Sequence, residues 1–275
     1  MPERGTAGAS RRTVLITGAA GGLGRAFALG FAAQGDRVVV ADVNLEGARE
    51  TVALVEAAGG AAIALPVDVT DLASVTRLAA DAAGWAPEAR PGASAPGQAP
   101  PAHAGVIDVV INNAAIYATV TRAPFTELDP DEWDRVMAVN LKGPWLVTRA
   151  CTPYLPDGGK VINLSSATVM SGSAHWAHYV ASKGGVIALT RSLAKEFGTK
   201  GITVNTIPPS MIDTPMSRQS QEVGNLPDTE FLAARIPVGR VGTGDDIAAA
   251  TVFLCSEDAG YITGQVIGVN GGSVA

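Results

Sequence analysis

Short apolar runs alternate along this chain with longer segments whose apolar residues recur every three or four positions. That is the pattern of a parallel sheet whose strands are joined by crossover helices. Val14–Thr17, Arg37–Ala41, Ala61–Pro66, Val106–Asn112, Lys160–Leu164, Thr203–Ile207 and Gln265–Val269 read as strands. Between them Leu23, Phe27, Gly30 and Phe31 share one helical face, as do Leu72, Val75 and Ala79, and later Ile247, Ala250, Thr251 and Leu254. Seven strands with intervening helices predict one α/β domain, a doubly wound parallel sheet spanning residues 11–275.

Two stretches fall outside the pattern. Residues 1–10 read as a flexible leader. Ser10-Arg11-Arg12 ahead of Thr13–Ile16 superficially resembles a twin-arginine export signal, but Gly18, Gly21, Gly22, Gly24 and Arg25 interrupt the apolar region such a signal needs. Gly84–Gly105 holds five of the 17 prolines and only Trp85 as a large apolar residue, which predicts a surface insertion between a helix and the fourth strand.

Charge and cysteine content then narrow the class. With 20 basic against 26 acidic side chains the formal charge is −6, so no positive field gathers phosphates, and nucleic acid is not expected as a partner. Cys151 and Cys255 lie far apart without a Cys-x-x-Cys spacing, which fits a reducing cytoplasm better than a disulfide framework. Three histidines form no recognisable metal constellation. No apolar run approaches the ~18 residues of a membrane span.

The first strand runs into Thr17-Gly18-Ala19-Ala20-Gly21-Gly22-Leu23-Gly24, after which a helical stripe begins. Between strand and helix, glycines permit positive φ and close backbone approach, while the helix N–H groups can bind a pyrophosphate. The second strand ends at Asp42, 18 residues beyond Gly24. A carboxylate there accepts hydrogen bonds from an adenosine ribose diol and repels a 2′-phosphate, which predicts NAD over NADP. Arg37 on the same strand is the nearby basic residue that pulls the other way.

The spacing Thr-Gly-x-x-x-Gly-x-Gly resembles the short-chain dehydrogenase/reductase family, and the resemblance extends along the whole chain, implying a Rossmann-type fold. Asp68-Val69 resembles the family's adenine-contacting pair, and Asn112-Asn113-Ala114-Ala115 its Asn-Asn-Ala-Gly segment. Gly18, Gly22, Leu23, Gly24, Asp42, Asp68, Val69, Asn113 and Ala114 are thereby implied as cofactor contacts. Asn205–Thr214 resembles the segment that holds the nicotinamide carboxamide, which assigns Ile212 and Thr214 to that group. Ser210 stands there in place of the family's usual glycine, and serine adopts a positive φ less readily.

Tyr179-Val180-Ala181-Ser182-Lys183 opens an amphipathic segment that puts Tyr179 and Lys183 on one helical face. A phenol is a poor base at neutral pH, and a neighbouring ammonium favours its phenolate. Ser166 ends the fifth strand 13 residues before Tyr179, the family's spacing for a serine that binds the substrate oxygen; Ser165 is the alternative. Asn140 lies on the apolar face marked by Trp133, Val136, Met137 and Leu141, and Pro144 has no N–H to offer its carbonyl. The family's catalytic asparagine occupies this position, where the freed carbonyl anchors a water in a proton relay. His175, His178 and Trp176 are expected in a loop flanking the substrate pocket.

The resemblance implies an NAD-dependent dehydrogenase that interconverts a secondary alcohol and a ketone, with Asn140, Ser166, Tyr179 and Lys183 as the catalytic set. Met211, Met216 and Leu226, mixed with polar residues in Ser210–Arg235, point to a moderately hydrophobic, cyclic or aromatic small molecule entering beside His175–His178. A 3-oxoacyl-acyl-carrier-protein reductase would use the same residues, but NADPH preference and a basic docking patch fit Asp42 and the acidic charge poorly. A non-catalytic NAD-binding sensor would need the glycines and Asp42 without the proton-transfer residues. The family's habit of assembly implies a homo-oligomer, a tetramer.

Overall fold

A computed structural model describes residues 12–85, 105–222, 224 and 226–274 of the chain. The leader at 1–10 and most of the 84–105 insertion lie outside the described residues. The elements run β1 (Thr13–Thr17), α1 (Gly22–Ala33), β2 (Arg37–Asp42), α2 (Leu45–Ala57), β3 (Ala61–Pro66), α3 (Leu72–Trp85), β4 (Val109–Asn112) and α4 (Pro130–Met137). A π-helical turn (Ala138–Lys142) joins α4 to α5 (Gly143–Cys151). There follow β5 (Lys160–Leu164), α6 (Thr168–Ser171), α7 (Ala177–Phe197), β6 (Thr203–Ile207), α8 (Pro215–Glu222), α9 (Thr229–Ala233) and α10 (Gly244–Leu254).

The strands form one parallel sheet in the order β3-β2-β1-β4-β5-β6. Both faces are covered, which explains why the strands read as continuous apolar runs rather than alternating ones. Val14, Ile16, Val38 and Val40 point to one layer with Phe27 and Phe31 of α1 and Ile247 of α10. Leu15 and Val39 point to the other with Val75 and Leu78 of α3 and Leu146 of α5. Phe27 and Phe31 are wholly buried, each contributing about 1.5–3 kcal/mol. Leu72, expected on the buried stripe of its helix, is instead exposed at the first position of α3.

The expected seventh strand, Gln265–Val269, is absent from the sheet, which has six strands. The segment does approach β6: Thr206 N–H bonds to the Gln265 carbonyl and Ile267 N–H to the Thr206 carbonyl, each at 2.9 Å. The next ladder bond would come from residue 208, which is a proline, so the pairing breaks into isolated bridges at Thr206–Val266 and Pro209–Val269. The fourth strand is also shorter than expected, beginning at Val109. Gly84 and Trp85, expected in the insertion, close α3, where the Arg37 guanidinium stacks 4.2 Å from the Trp85 ring and bonds to its carbonyl.

The strand order reverses between β1 and β4. Ligands of open parallel sheets bind outside the carboxyl ends of the strands at such a switch point. The turn after β1, the turn after β4 and the end of β5 therefore define where a site is to be sought.

Candidate active site

The turn after β1 is shaped by its glycines. Gly18 and Gly22 have φ of 67° and 53°, left-handed values that cost an L residue roughly 1–2 kcal/mol. Gly24 answers a tighter constraint: a Cβ there would stand 2.2 Å from the Gly18 carbonyl oxygen and 2.7 Å from the Ala19 Cα. Asn113, just past β4, locks the turn by donating from Nδ2 to the carbonyls of Thr17 (3.0 Å) and Gly18 (2.9 Å). The Thr17 hydroxyl accepts the Asn113 and Ala114 N–H groups, each at 3.2 Å. Asn113 is thus a brace for the turn, with both of these donor bonds aimed at its backbone.

Helix α1 starts without a side-chain cap at Gly21 and without an acidic residue in its first turn. Its leading N–H groups are left for an external anion. Leu23 faces inward against the core. Thr214 lies over the same turn, its Cβ 3.8 Å from where Gly22 would carry one. Ile212 is buried beside it and bridges to Gly242.

Asp42 closes β2 with its carboxylate fixed: Oδ2 accepts the Ala20 N–H and Oδ1 the Asn44 N–H, both at 2.9 Å. A carboxylate offers about four lone-pair sites, so ribose hydroxyls still find acceptors. Arg37 opens the same strand at its far end and is occupied by Trp85. Asp68, after β3, accepts from the Thr70 N–H (2.8 Å) and hydroxyl (2.7 Å). Val69 packs on Gly143, where a Cβ would come within 2.9 Å of its Cγ2.

Tyr179 and Lys183 lie one turn apart on α7, both buried. Ser165 donates to the Lys183 carbonyl at 2.8 Å and so faces the helix backbone. Ser166 is the serine that meets the Tyr179 phenol. Its Oγ accepts from the Thr168 hydroxyl at 2.9 Å and the Thr168 N–H at 3.3 Å, which leaves its own proton for an incoming oxygen. Burial pushes the Tyr179 phenol up to about 12; the Ser166 bond, and then the charge of Arg122, pull against it. Burial lowers the Lys183 ammonium to about 8. Its Nζ donates to the Leu164 carbonyl at 2.8 Å, so the ammonium is drawn to the end of β5 rather than onto the phenol, unlike the pairing expected from sequence.

Asn140 is completely buried in the π-helical turn. There the Gly143 N–H reaches five residues back to the Ala138 carbonyl, accommodating Pro144 just beyond. The Asn140 side chain grips one residue beyond β4: Oδ1 accepts the Ile116 N–H at 2.8 Å and Nδ2 donates to the Ile116 carbonyl at 3.0 Å. Its other donor contact is the Ser182 hydroxyl on α7, at 3.4 Å. Asn140 thus ties the β4 loop to the catalytic helix.

Three residues passed over or underrated in the sequence enclose Tyr179. Trp176 stacks on it with centroids 4.2 Å apart and planes 21° from parallel. Tyr117 meets the Trp176 ring edge-on at 5.9 Å. The Arg122 guanidinium lies 3.9 Å from the Trp176 ring. Tyr117 follows Asn113 by four residues at the carboxyl end of β4, a position the topology could have flagged; Arg122 carries no local signal. The Tyr117 hydroxyl approaches Ser220 of α8, joining the segment Ser210–Arg235 to the site. His178, expected in a pocket-edge loop, is buried in the first turn of α7, stacked at 19° on Trp133, and burial lowers its pKa from the ordinary imidazole value. His175 remains in the preceding loop with φ of 63°. Ser210 carries no positive φ, so the expected strain is absent, and its hydroxyl accepts from Ser273 at 2.8 Å.

A parallel sheet with a glycine turn at its switch point and a buried Ser-Tyr-Lys group at the end of β5 defines a dinucleotide-dependent oxidoreductase. The chain belongs to the short-chain dehydrogenase/reductase family. Residues 12–86 match the family model described as short chain dehydrogenase, and residues 98–273 match the one described as enoyl-(acyl carrier protein) reductase. The chain is 35% identical to a sorbitol dehydrogenase of Cereibacter sphaeroides, covering 95% of this chain and 97% of the relative. It is 38% identical to 3beta-hydroxysteroid dehydrogenase 1 of Eggerthella lenta, over 95% and 93% of the two chains. Among solved structures, a blue fluorescent protein from a metagenomic library in complex with NADPH superposes with a TM-score of 0.79 at 29% identity, over 96% of this chain and 98% of that one.

Proposed function

We propose that the protein is an NAD-dependent dehydrogenase that interconverts a secondary alcohol and a ketone on a moderately hydrophobic, cyclic or aromatic small molecule. The observation that carries this reading is Ser166 and Tyr179, both buried and brought together at the end of β5, with Lys183 one helical turn further on. The residues present fit a nicotinamide dinucleotide: the uncapped α1 terminus suits the pyrophosphate, and Asp42 suits the ribose diol. Ala114, Ile212 and Thr214 line the way to the nicotinamide, and Lys183 brings a buried cation to its ribose. When bound, the dinucleotide supplies the hydride acceptor.

The chain's own residues handle the proton and the oxygen. Ser166 donates to the substrate oxygen, and Tyr179 takes the hydroxyl proton in oxidation or returns it in reduction. Burial opposes the phenolate, so the site requires positive charge to reach it; Arg122 supplies some of it, and Lys183 holds a second cation one helical turn away. Asn140 holds the β4 loop against α7, and Pro144 keeps an N–H away from its carbonyl, which suits a water leading protons towards Lys183.

Asp42 favours NAD over NADP, and no basic side chain among the described residues pairs with it. The Tyr117–Trp176–Tyr179 cluster favours a flat apolar substrate. Absorbance at the reduced nicotinamide band, with NAD⁺ or NADP⁺ supplied beside aliphatic, cyclic, aromatic and steroidal secondary alcohols, tests the reaction and the cofactor together. Turnover with NAD⁺ is expected, and Tyr179→Phe should lower it ~10²–10⁴-fold while cofactor affinity stays within a few-fold. A fully active Tyr179→Phe enzyme would overturn the assignment. The cytoplasm and a homotetramer complete the reading. The half-exposed Trp145 beside Met137, Leu141 and Leu189 on the outer faces of α5, the π turn and α7 suits a subunit contact, which sedimentation would read.

A further inference from the structure

Arg122 stands at the aromatic cluster around Tyr179, where its charge bears on the phenol but meets no carboxylate among the described residues. Its guanidinium is half-buried against Trp176, which in turn stacks on Tyr179. No carboxylate among the described residues pairs with it, whereas Arg12, Arg25, Arg135, Arg218 and Arg240 all have acidic partners. Its Nε is enclosed without an acceptor. A partly desolvated cation left unanswered costs stability, so such an arrangement persists where a ligand completes it.

The placement is firm on both sides. The Thr121 N–H donates to the Glu132 carboxylate at 2.8 Å, and the Ala123 N–H donates to the His175 carbonyl at 3.1 Å. His175 holds φ of 63° to make its end of that contact, the one non-glycine residue with positive φ among the described residues. Strain of this kind survives where the surroundings impose it, often at ligand sites. A guanidinium centred over an indole face has edge N–H groups left to direct past the ring, a fork suited to a planar carboxylate.

We infer that Arg122 is a substrate-specificity residue and that the substrate is a hydroxy acid or its keto acid, whose carboxylate pairs with Arg122 while its secondary alcohol lies against Ser166 and Tyr179. This rests on the dehydrogenase reading above and deepens it from an apolar alcohol to one with an anionic end. One guanidinium in an aromatic surround matches a single carboxylate better than a phosphate dianion, which needs further donors that the described residues around Trp176 do not supply.

The test compares 3-hydroxybutanoate, 2-hydroxycyclohexanecarboxylate and 3-hydroxy-3-phenylpropanoate with their primary amides. Binding to the NADH-loaded protein is measured by calorimetry in the wild type, Arg122→Met and Arg122→Lys. For at least one pair the wild type should bind the acid tenfold or more tightly than the amide. Arg122→Met should erase that preference with little change in amide affinity, and Arg122→Lys should retain part of it. Equal affinity for acid and amide across all three pairs, or a preference that survives Arg122→Met, would overturn the inference. Because calorimetry needs no turnover, this failure is separable from failure of the dehydrogenase reading, which appears as an active Tyr179→Phe enzyme. A general folding defect in Arg122→Met would weaken acid and amide alike, an outcome that also counts against the inference unless Arg122→Lys keeps the preference.

Discussion

Replacing Lys183 with methionine should abolish turnover and yet stabilise the cofactor-free protein. The ammonium is lowered from its ordinary value of 10.5 to about 8 by burial; among the described residues it has the Leu164 carbonyl and no carboxylate as partner. At neutral pH the folded state must hold a charge it would rather release, a penalty of about 3 kcal/mol for a shift of that size. Methionine follows the same path through the core without charge. The change also deprives the Leu164 carbonyl of its partner, which returns roughly 1–2 kcal/mol of instability. The net expectation is a gain of about 1–2 kcal/mol at pH 7, or ~2–6 °C in Tm for a chain of this size.

The sign of the pH dependence follows from proton counts. Between about 8 and 10.5 the unfolded wild type carries more protons on Lys183 than the folded form does, so wild-type stability from this group rises with pH across that window. Lys183→Met lacks the group, and its advantage should shrink as pH climbs from 7 to 9.5. Urea unfolding of the two apo-proteins at both pH values measures the difference directly and cancels contributions from the other titrating groups. A variant less stable than wild type at pH 7, or an advantage that stays constant to pH 9.5, would refute the reasoning.

Asp42→Ala should raise the NADP-to-NAD ratio of kcat/KM about tenfold or more; because the carboxylate also holds the Ala20 N–H at 2.9 Å, affinity for both cofactors should fall. Steady-state kinetics with each cofactor reads both effects, and an unchanged ratio would place selectivity elsewhere. Asn140→Ala strips the Ile116 N–H and carbonyl of their partners at a completely buried site, and should destabilise by about 2–4 kcal/mol in chemical denaturation; a loss below ~1 kcal/mol would show that the β4 loop is held by other contacts. Gly24→Ala drives a Cβ to 2.2 Å from a backbone oxygen and should weaken cofactor binding at least tenfold in a fluorescence titration while also lowering Tm, with near-normal affinity as the result that would contradict it.

How much of this was visible in the residues depended on whether the information was local. The strands and the glycine turn were legible because period and spacing act over a few residues. Tyr179 and Lys183 were legible as neighbours for the same reason, four positions apart on one helix. The seventh strand failed on a long-range detail: Gln265–Val269 has strand composition, but its partner positions are Pro208 and Pro209, and that pairing is not visible in either segment alone. Lys183 was correctly placed on the helix while its Nζ direction was not, because Leu164 reaches it from 19 residues away.

The same distinction explains why Arg122 went unnoticed. As a sequence, Thr121-Arg122-Ala123-Pro124 is an ordinary polar loop after a strand. Its meaning comes from Glu132 and His175, which fix its two neighbours, and from Trp176, which receives its guanidinium. None of these lies within nine residues of it. Residues proposed for the proton chemistry share one helix and one strand end, so their pattern survives in sequence. Residues that choose the substrate are assembled from loops at the ends of different strands, and only packing brings them together. The reaction class is therefore readable from the chain, whereas the substrate must be read from what surrounds Tyr179.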